Sequence, residues 1–377
     1  MKARLGSLIT LHCGDAGVGH TFLSLNKSMD GRDLEVTIVA PSCEPDLRGE
    51  DFIEAVPGFM RRVCYRIPSA PRFITEKRFV SLLDRFDAVY LFPGCSEGLL
   101  EGLATRKKPI FVERINCHNG TVKRVLDEAY GQLGLKPPYG ITAASVEQET
   151  EQLSMVDFVF CPSPGVLKSY EDQGAPAHKL IPSSYGWTPD RFPNRLVEKF
   201  RDGPKPCTFL FVGYLCVRKG THLLLHAWEK AGISGSLVLC GNMEPAIEQT
   251  CAEILARSDV VWHKYNSDIG RAYRQADVFA FPSLEEGSPL VTYEAMAHGL
   301  PVLVSPMGAG GIVRNGIDGM VIPPYDQERW IEALRKLSTD ADLRRHFGDS
   351  ARKQADEYTW DKVGRRRAGE IIKRLPS

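Results

Sequence analysis

Residues 281–299 have the sequence FPSLEEGSPLVTYEAMAHG. The apolar residues that lead into this segment predict a strand ending at Pro282, and Pro289 suits the first turn of a helix that Gly299 closes. A strand, a short polar loop and a helix in this order form the repeating unit of parallel sheets that helices cover. The segment therefore predicts an α/β fold.

The same alternation of short apolar runs and helical patterns continues on both sides of this segment. It favours parallel sheets with helices on both faces, because strands buried on both faces appear as continuous β-branched and aromatic runs. We predict five strands in the first half, at residues 6–13, 34–40, 87–92, 109–115 and 158–161. We predict six more in the second half, at residues 208–213, 236–240, 260–263, 278–281, 301–304 and 320–322.

Residues 182–206 separate the two series of strands. This stretch is rich in Pro, Arg and Gly and has few periodic segments, which is typical of a domain boundary. A chain of 377 residues also exceeds the length that one hydrophobic core usually supports. The sequence thus predicts two doubly wound parallel-sheet domains that face each other across a cleft, where ligands of open α/β sheets bind.

The composition restricts the classes of function. The chain has 47 Lys and Arg against 47 Asp and Glu, so it lacks the basic excess with which proteins bind nucleic acid. Its ten cysteines include no Cys-x-x-Cys pair, which favours a reducing compartment over a disulfide framework or a zinc site. No apolar run approaches the roughly 18 to 20 residues that span a bilayer. We therefore expect a cytoplasmic protein.

Two of the loops that follow predicted strands carry residues suited to an anion. In the first loop, Gly17 and Gly19 precede a helix, whose free backbone amides favour an anion; a tight turn is the alternative. In the second loop, Arg218 and Lys219 precede a helix and can pair with a diphosphate; solvated surface cations are the alternative.

A third loop, within the segment quoted above, carries two acids. Glu286 lies in the predicted loop, and Glu294 lies eight positions later in the predicted helix. Each carboxylate can accept hydrogen bonds from two vicinal hydroxyls, one pair on a sugar ring and the other on a ribose. A helix-capping acid and an exposed helical Glu account for the spacing equally well.

The pattern P-S-x-x-E-G-S-P-L-x-x-x-E-A-M-A-x-G-x-P-V at residues 282–302 closely resembles the signature of retaining glycosyltransferases of family 4. Supporting matches lie at residues 211–215 with Lys219 and Gly220, at 186–192 and at 316–324. The resemblance covers nearly all of the second domain and is looser over the first. It implies the GT-B fold, in which two Rossmann-like domains face each other.

The resemblance also implies a domain organisation and a reaction. Residues 1–190 would bind the acceptor, residues 191–357 would bind the donor, and a last helix within residues 358–377 would join the first domain. The protein would be a hexosyltransferase that moves a sugar from a UDP- or GDP-sugar to a hydroxyl group, with retention of configuration. The acceptor would be a glycan, a lipid-linked molecule or a small molecule, and no nucleic acid would be involved.

Several residues acquire roles from this resemblance. Glu286 would hold the hydroxyls of the donor sugar, Glu294 the ribose, and Lys219 the departing diphosphate. Gly17 and Gly19 match the family's glycine-rich first loop, which approaches the diphosphate from the opposite domain. The residues near the sugar and the diphosphate would be Gly287, Ser288, Pro289 and Leu290.

Two further positions leave alternatives open. Tyr214 stands where the family usually has Arg, so that either Arg218 supplies the missing charge or the site has a single cation. His118 follows a predicted strand and matches the place where many relatives carry a His near the donor sugar. A His in a loop or in the core is the alternative.

The sequence predicts no metal ion or other cofactor. Asp340 and Asp342 form an Asp-x-Asp pair, but they lie in a polar helical stretch where an acid is expected to mark a helix N-terminus. Lys219, Arg218 and helix dipoles would neutralise the diphosphate in place of a cation.

Residues 61–85 contain seven Lys and Arg, two acidic residues and several aromatics. Such a face can rest on anionic lipid, which would give a peripheral contact with the inner membrane; a solvated helix face is the alternative.

The same residues fit two other functions. One is a non-catalytic subunit that binds a nucleotide sugar, which the Tyr at position 214 favours. The other is a sugar-nucleotide epimerase with the same fold.

Overall fold

The structure is a computed structural model of the chain and describes residues 2–14, 17–49, 51–192, 206–264 and 268–376. Within these residues the strands form two separate sheets, and every pair of neighbouring strands runs parallel. Helices connect most of the successive strands in both halves. The predicted fold class, two Rossmann-like parallel-sheet domains, is confirmed.

The first sheet has seven strands among the described residues, in the order β3-β2-β1-β4-β5-β6-β7. They are β1 (Ala3–Leu8), β2 (Leu34–Ala40), β3 (Phe52–Glu54), β4 (Ala88–Leu91), β5 (Ile110–Glu113), β6 (Phe158–Cys161) and β7 (Leu180–Pro182). The helices of this domain are α1 (Gly17–Met29), α2 (Gly58–Cys64), α3 (Ala70–Val80), α4 (Glu97–Ala104), α5 (Asn119–Gln132), α6 (Ala143–Gln152) and α7 (Pro164–Glu171).

The second sheet has six strands in the described part of the chain, in the order β10-β9-β8-β11-β12-β13. They are β8 (Cys207–Val212), β9 (Gly235–Cys240), β10 (Val260–His263), β11 (Val278–Phe281), β12 (Val302–Val304) and β13 (Gly319–Val321). The helices are α8 (Thr221–Ala231), α9 (Pro245–Thr250), α10 (Ala252–Leu255), α11 (Ile269–Gln275), α12 (Leu290–Ala297), α13 (Gln327–Thr339), α14 (Ala341–Asp356) and α15 (Trp360–Ile372).

The central strands show why the sequence forms this architecture. All four residues of β4 are buried, and so are all four of β11, because helices cover both faces of each sheet. The residues on both faces of these strands are therefore apolar, and no alternation with polar residues is seen.

The first strand differs from its prediction at residues 6–13. β1 begins at Ala3 and ends at Leu8, although Ile9 and Cys13 are also buried. Beyond β1 the chain is in the core at Ile9 and Cys13, whereas Leu11 is 50% exposed, and Cys13 pairs with Cys43 only through an isolated bridge. The apolar run in the sequence therefore extends past the residues that pair in the sheet.

The last helix packs on the first domain. α15 lies so close to α1 that a Cβ on Gly364 would approach the backbone oxygen of Ser28 to 2.2 Å. Arg367 of α15 is 2% exposed and forms an ion pair of 2.6 Å with Glu113, which is fully buried at the end of β5. The chain thus returns from the second domain to the first.

The predicted boundary lies only partly within the structure. Residues 193–205 are outside the described residues, so the division between residues 190 and 191 stays a prediction. Among the described residues, no helix combines the length and the apolar character needed to cross a membrane.

Candidate functional site

The loop between β11 and α12 lies at the carboxyl end of the second sheet. Its residues 282–289 are all buried, and Pro289 stands at the N-cap of α12. Pro is tolerated there because the first backbone N–H groups of a helix have no partner within the helix. Glu286 therefore lies in the loop and Glu294 within the helix.

A tight turn before α8 brings two cations against this loop. Gly220 has a φ of +67°, and a Cβ at this position would lie 2.1 Å from the backbone oxygen of Pro282. Only glycine allows this approach. Lys219 Nζ consequently lies 2.5 Å from Glu286 Oε1, and Arg218 Nη1 lies 3.5 Å from the same oxygen.

The two cations determine the charge of Glu286. Burial alone would raise the pKa of this carboxyl group, but Lys219 and Arg218 outweigh burial, so that its pKa lies below the usual value. The hydroxyl of Ser283 also faces Glu286 Oε1 at 3.5 Å. Glu286 is therefore ionised at neutral pH and fixed in position before any ligand binds.

Glu285 is a residue of this site that the sequence analysis did not identify. It is 1% exposed, and its Oε2 lies 3.2 Å from Arg218 Nη1, which also donates to the Glu285 backbone oxygen at 2.9 Å. Its Oε1 accepts a 2.9 Å hydrogen bond from the backbone N–H of Cys117 in the first domain. Burial raises the pKa of Glu285 despite the neighbouring Arg218. Glu285 thus connects the turn that carries Arg218 and Lys219 to the first domain.

Glu294 is buried within a separate set of polar contacts. Arg191 Nη1 donates to Glu294 Oε1 at 2.9 Å, and the hydroxyl of Tyr273 donates to Oε2 at 2.9 Å. Burial raises the pKa of Glu294, and Arg191 opposes this effect. Sequence reasoning did not assign a role to Arg191 or Tyr273, although Arg191 lies in one of the supporting motifs. Each oxygen keeps one lone pair for a further donor such as a ribose hydroxyl.

The residues between the two acids touch the first domain or their own helix. A Cβ on Gly287 would lie 1.9 Å from the backbone oxygen of Ile115, so this glycine permits contact between the domains. The Ser288 hydroxyl lies 2.6 Å from the hydroxyl of Tyr293. Pro289 and Leu290 form the start of α12.

The glycines of the first loop are placed at the start of α1. Gly17 is the first residue of this helix and has a φ of +66°. A Cβ on Gly19 would lie 2.8 Å from the backbone oxygen of His12, so packing of the helix against its own preceding loop requires this glycine. Contact of either glycine with a diphosphate stays a prediction.

His118 caps a helix in the first domain. The imidazole is fully buried, Nδ1 accepts a hydrogen bond from the backbone N–H of Gly120 at 3.1 Å, and Nε2 lies 3.3 Å from the Thr150 hydroxyl. Burial lowers the pKa of His118, although Glu149 opposes this effect. The contact of His118 with a donor sugar stays a prediction.

The charges of the cluster formed by Arg218, Lys219, Glu285 and Glu286 have a chemical consequence. Two buried carboxylates and two partly exposed cations are held together in the loops that follow β8 and β11. The side chain of Tyr214 is 45% exposed. An entering diphosphate can accept hydrogen bonds from Lys219 and Arg218. A sugar hydroxyl can then donate to Glu286 in place of these cations. The cluster can therefore bind an anion and a polyol side by side.

The acids of the Asp-x-Asp pair have a different place. Asp340 caps α14 by accepting a 2.9 Å hydrogen bond from the backbone N–H of Leu343, as an acid at a helix N-terminus is expected to do. Among the described residues, no group of three or more His, Cys, Asp or Glu is arranged to hold a metal ion.

Comparison with known proteins relates this site to a family. Residues 194–354 match the model of the family described as glycosyl transferases group 1. This match covers most of the second domain. The chain is 30% identical over 164 residues to an uncharacterized glycosyltransferase, MJ1607, of Methanocaldococcus jannaschii. The alignment covers 41% of this chain and 42% of that protein. The aligned part thus spans less than half of that relative.

Solved structures extend the likeness to both domains. The sucrose-phosphate synthase of Thermosynechococcus elongatus superposes with a TM-score of 0.75 at 17% identity and covers 100% of this chain and 99% of its own. Anabaena HepE, solved in complex with UDP-glucose, superposes with a TM-score of 0.69 at 14% identity and covers 99% of this chain and 100% of its own. At these identities the likeness concerns the fold, which is GT-B. The residues that match the glycosyl transferases group 1 model lie in its second half.

Proposed function

We propose that this protein transfers a hexosyl unit from a UDP- or GDP-sugar to an acceptor hydroxyl, with retention of configuration and without a metal ion. The proposal rests mainly on the pairing of Lys219 with Glu286 at the carboxyl ends of β8 and β11. This pair combines a cation for a diphosphate with a carboxylate for sugar hydroxyls, within the residues that match the glycosyl transferases group 1 model.

The proposed reaction is a displacement on one face of the sugar. The bond between the anomeric carbon and the diphosphate oxygen breaks, and Lys219 and Arg218 stabilise the charge that develops on the leaving group. An oxygen of the departing diphosphate takes the proton of the acceptor hydroxyl, and the hydroxyl oxygen then forms the new bond to the anomeric carbon. Glu286 orients the sugar during this step, and Glu294 holds the ribose.

Both acids have the features that this role requires. Glu286 is charged because its pKa is lowered, so that it accepts hydrogen bonds without donating any. Glu294 is held by Arg191 and Tyr273, which fix its orientation toward a ribose. Both carboxylates are thus oriented before the substrate arrives, while the cations beside Glu286 can turn toward the diphosphate. The family match and the named glycosyltransferase relative lend no support to an epimerase or to a non-catalytic subunit.

A two-part experiment tests the proposal. Thermal shift with UDP-glucose, GDP-mannose and the free nucleotides identifies the donor, because a ligand stabilises the folded state in proportion to the logarithm of its concentration over Kd. UDP-glucose comes first because HepE was solved with it. Release of UDP or GDP on addition of acceptor mixtures then measures transfer, and the configuration of the product is read by NMR. Stabilisation by no nucleotide sugar, or an inverted product, contradicts the proposal.

A further inference from the structure

The first domain exposes apolar side chains along one continuous segment. Of the seven residues of α2, only Cys64 is buried, while Phe59 and Val63 are 86% and 63% exposed. The segment continues through Ile67 to Phe73 of α3, which are 53% and 56% exposed. We call residues 57–80 the α2–α3 surface. Exposed apolar side chains that cluster on a surface mark interaction sites in soluble proteins.

The same surface carries a strong positive charge. Its exposed cations are Arg62, Arg66, Arg72, Lys77 and Arg78. The only acid in the sequence of residues 57–80 is Glu76, which is buried and accepts hydrogen bonds from Ser96 N at 2.7 Å and from Ser96 Oγ at 2.6 Å. Arg61, at its edge, is paired with Glu54. The surface therefore presents cations that no acid of its own segment neutralises.

This combination of exposed apolar and basic side chains fits an anionic membrane better than a fully solvated helix face. A solvated helix face explains the cations, but it does not explain why Phe59 is almost fully exposed at the N-terminal end of α2. Phe, Val and Ile side chains gain free energy at the boundary between head groups and acyl chains, while Arg and Lys bind anionic head groups. The structure also shifts the bounds of the predicted region of residues 61–85, because Leu82 and Leu83 are buried whereas Phe59, before residue 61, is exposed.

A cavity of about 510 Å³ lies between this surface and the carboxyl ends of β1 and β4. Residues on both of its sides contribute, and they include Leu11, His12, Gly94, Tyr65, Ile67 and Arg72. Ile67 and Arg72 belong to both the cavity and the α2–α3 surface. A molecule held in the cavity thus lies beside whatever covers the surface.

A chain of hydrogen bonds fixes the cavity to the surface. The Tyr65 hydroxyl lies 2.5 Å from Ser42 Oγ, and Ser42 Oγ lies 2.8 Å from His12 Nδ1. Tyr65 immediately follows α2, and His12 lies in the loop after β1. These hydrogen bonds fix the end of α2 against the loop after β1, at the edge of the cleft.

We propose that the α2–α3 surface binds an anionic lipid bilayer and that the cavity beside it opens at the level of the head groups. The inference rests on the proposed function in one respect: the acceptor hydroxyl would then belong to a lipid-linked molecule. The binding itself does not depend on catalysis, and the two can be tested separately.

Vesicle sedimentation with the full chain tests the surface. We expect binding to vesicles of phosphatidylcholine with 30% phosphatidylglycerol at low salt, none to pure phosphatidylcholine, and weakening as salt rises. Each cation removed should weaken binding about fivefold, because each contributes to the attraction near the bilayer. The double variant with Arg62→Glu and Arg66→Glu should abolish vesicle binding. The double variant with Phe59→Ser and Val63→Ser should abolish it as well.

Matched controls on the second domain keep this test specific. Arg352→Glu with Lys353→Glu makes the same change of charge at exposed positions of α14, and Ile317→Ser removes an apolar side chain that is 45% exposed. Both controls should bind vesicles like the wild type. Thermal stabilisation by UDP-glucose or GDP-mannose, measured for every variant, reports on the donor site independently.

Fluorescence quenching by spin-labelled lipids tests the position of the cavity. A Phe59→Trp variant should be quenched most by a label on the acyl chain. A Leu11→Trp variant, at a cavity residue that is 50% exposed, should be quenched most by a label on the choline head group. Unquenched Trp at position 11 would overturn the placement of the cavity.

Other outcomes also decide against the inference. Absence of binding to anionic vesicles at low salt would refute it, as would binding that the surface variants leave unchanged. If the wild type instead forms a dimer that Phe59→Ser with Val63→Ser dissociates, and does not bind vesicles, the surface is an interface between two copies of the chain. Donor binding with no vesicle binding would refute this inference and leave the proposed function intact.

Discussion

Replacing Lys219 by Ala removes the cation that lies closest to Glu286. Its Nζ is 2.5 Å from Glu286 Oε1, whereas Arg218 is 3.5 Å away and is already bound to the carboxylate and the backbone oxygen of Glu285. Arg218 can therefore replace only part of the lost charge. If Lys219 supplies the roughly 3 to 4 kcal/mol that one preorganised group gives to a transition state, kcat should fall about 10²- to 10³-fold.

The same variant should change the pH dependence of the reaction. Burial raises the pKa of Glu286, and Lys219 is the largest influence that lowers it. A carboxyl group with a lowered pKa stays ionised to a more acidic pH and loses its charge as the pH falls through that pKa. Without Lys219 the pKa rises, so the acidic limb of the kcat/KM profile should move to higher pH.

Release of UDP or GDP, followed across pH, measures both effects. Lys168→Ala is the control, because it removes a Lys that is 72% exposed and paired with Asp172 at 2.9 Å on the surface of α7. It should leave both kcat and the pH profile unchanged. Turnover of Lys219→Ala within about threefold of the wild type, with the acidic limb in its original place, would refute the assignment of Lys219 and Glu286.

Three further outcomes follow from the structure. Gly287→Ala should lower kcat/KM at least about tenfold, because its Cβ would lie 1.9 Å from the Ile115 oxygen and force the domains apart; steady-state kinetics with small-angle scattering checks this. Arg367→Met should lower the free energy of unfolding by about 3 to 5 kcal/mol in urea denaturation, because it leaves Glu113 buried and unpaired, whereas exposed Arg365→Met should have little effect. Addition of EDTA should leave turnover unchanged if cations of the protein neutralise the diphosphate, and loss of activity that Mg²⁺ or Mn²⁺ restores would contradict this.

Apolar runs predicted the sheet where strands are buried on both faces. The predicted bounds of β6 at residues 158–161 and of β11 at residues 278–281 agree with the structure. β3 and β7 were missed: each has three residues, none of the three in β3 is buried, and β7 ends at Pro182. An edge position alone does not prevent prediction, since β10 and β13 are the edge strands of the second sheet and were predicted at residues 260–263 and 320–322.

The site could be predicted less completely than the fold. The motif around Glu286 and Glu294 indicated which residues matter, but no periodicity indicates that Lys219 contacts Glu286 across 67 positions. Glu285 carried no signal of its own, because its role depends on Arg218 and on a backbone N–H of the opposite domain. Contacts of this kind arise from the packing of loops, which sequence patterns do not encode locally.

The loop at residues 285–287 joins the chemistry of the site to the contact between the domains. Glu286 pairs with Lys219, while its two neighbours touch the first domain, through the Cys117 N–H at Glu285 and the Ile115 oxygen at Gly287. A donor that draws Lys219 or Arg218 toward its diphosphate changes the charge facing Glu285, and hence the strength of its bond to Cys117. Donor binding and domain contact should therefore be linked in free energy, since each affects the same three residues.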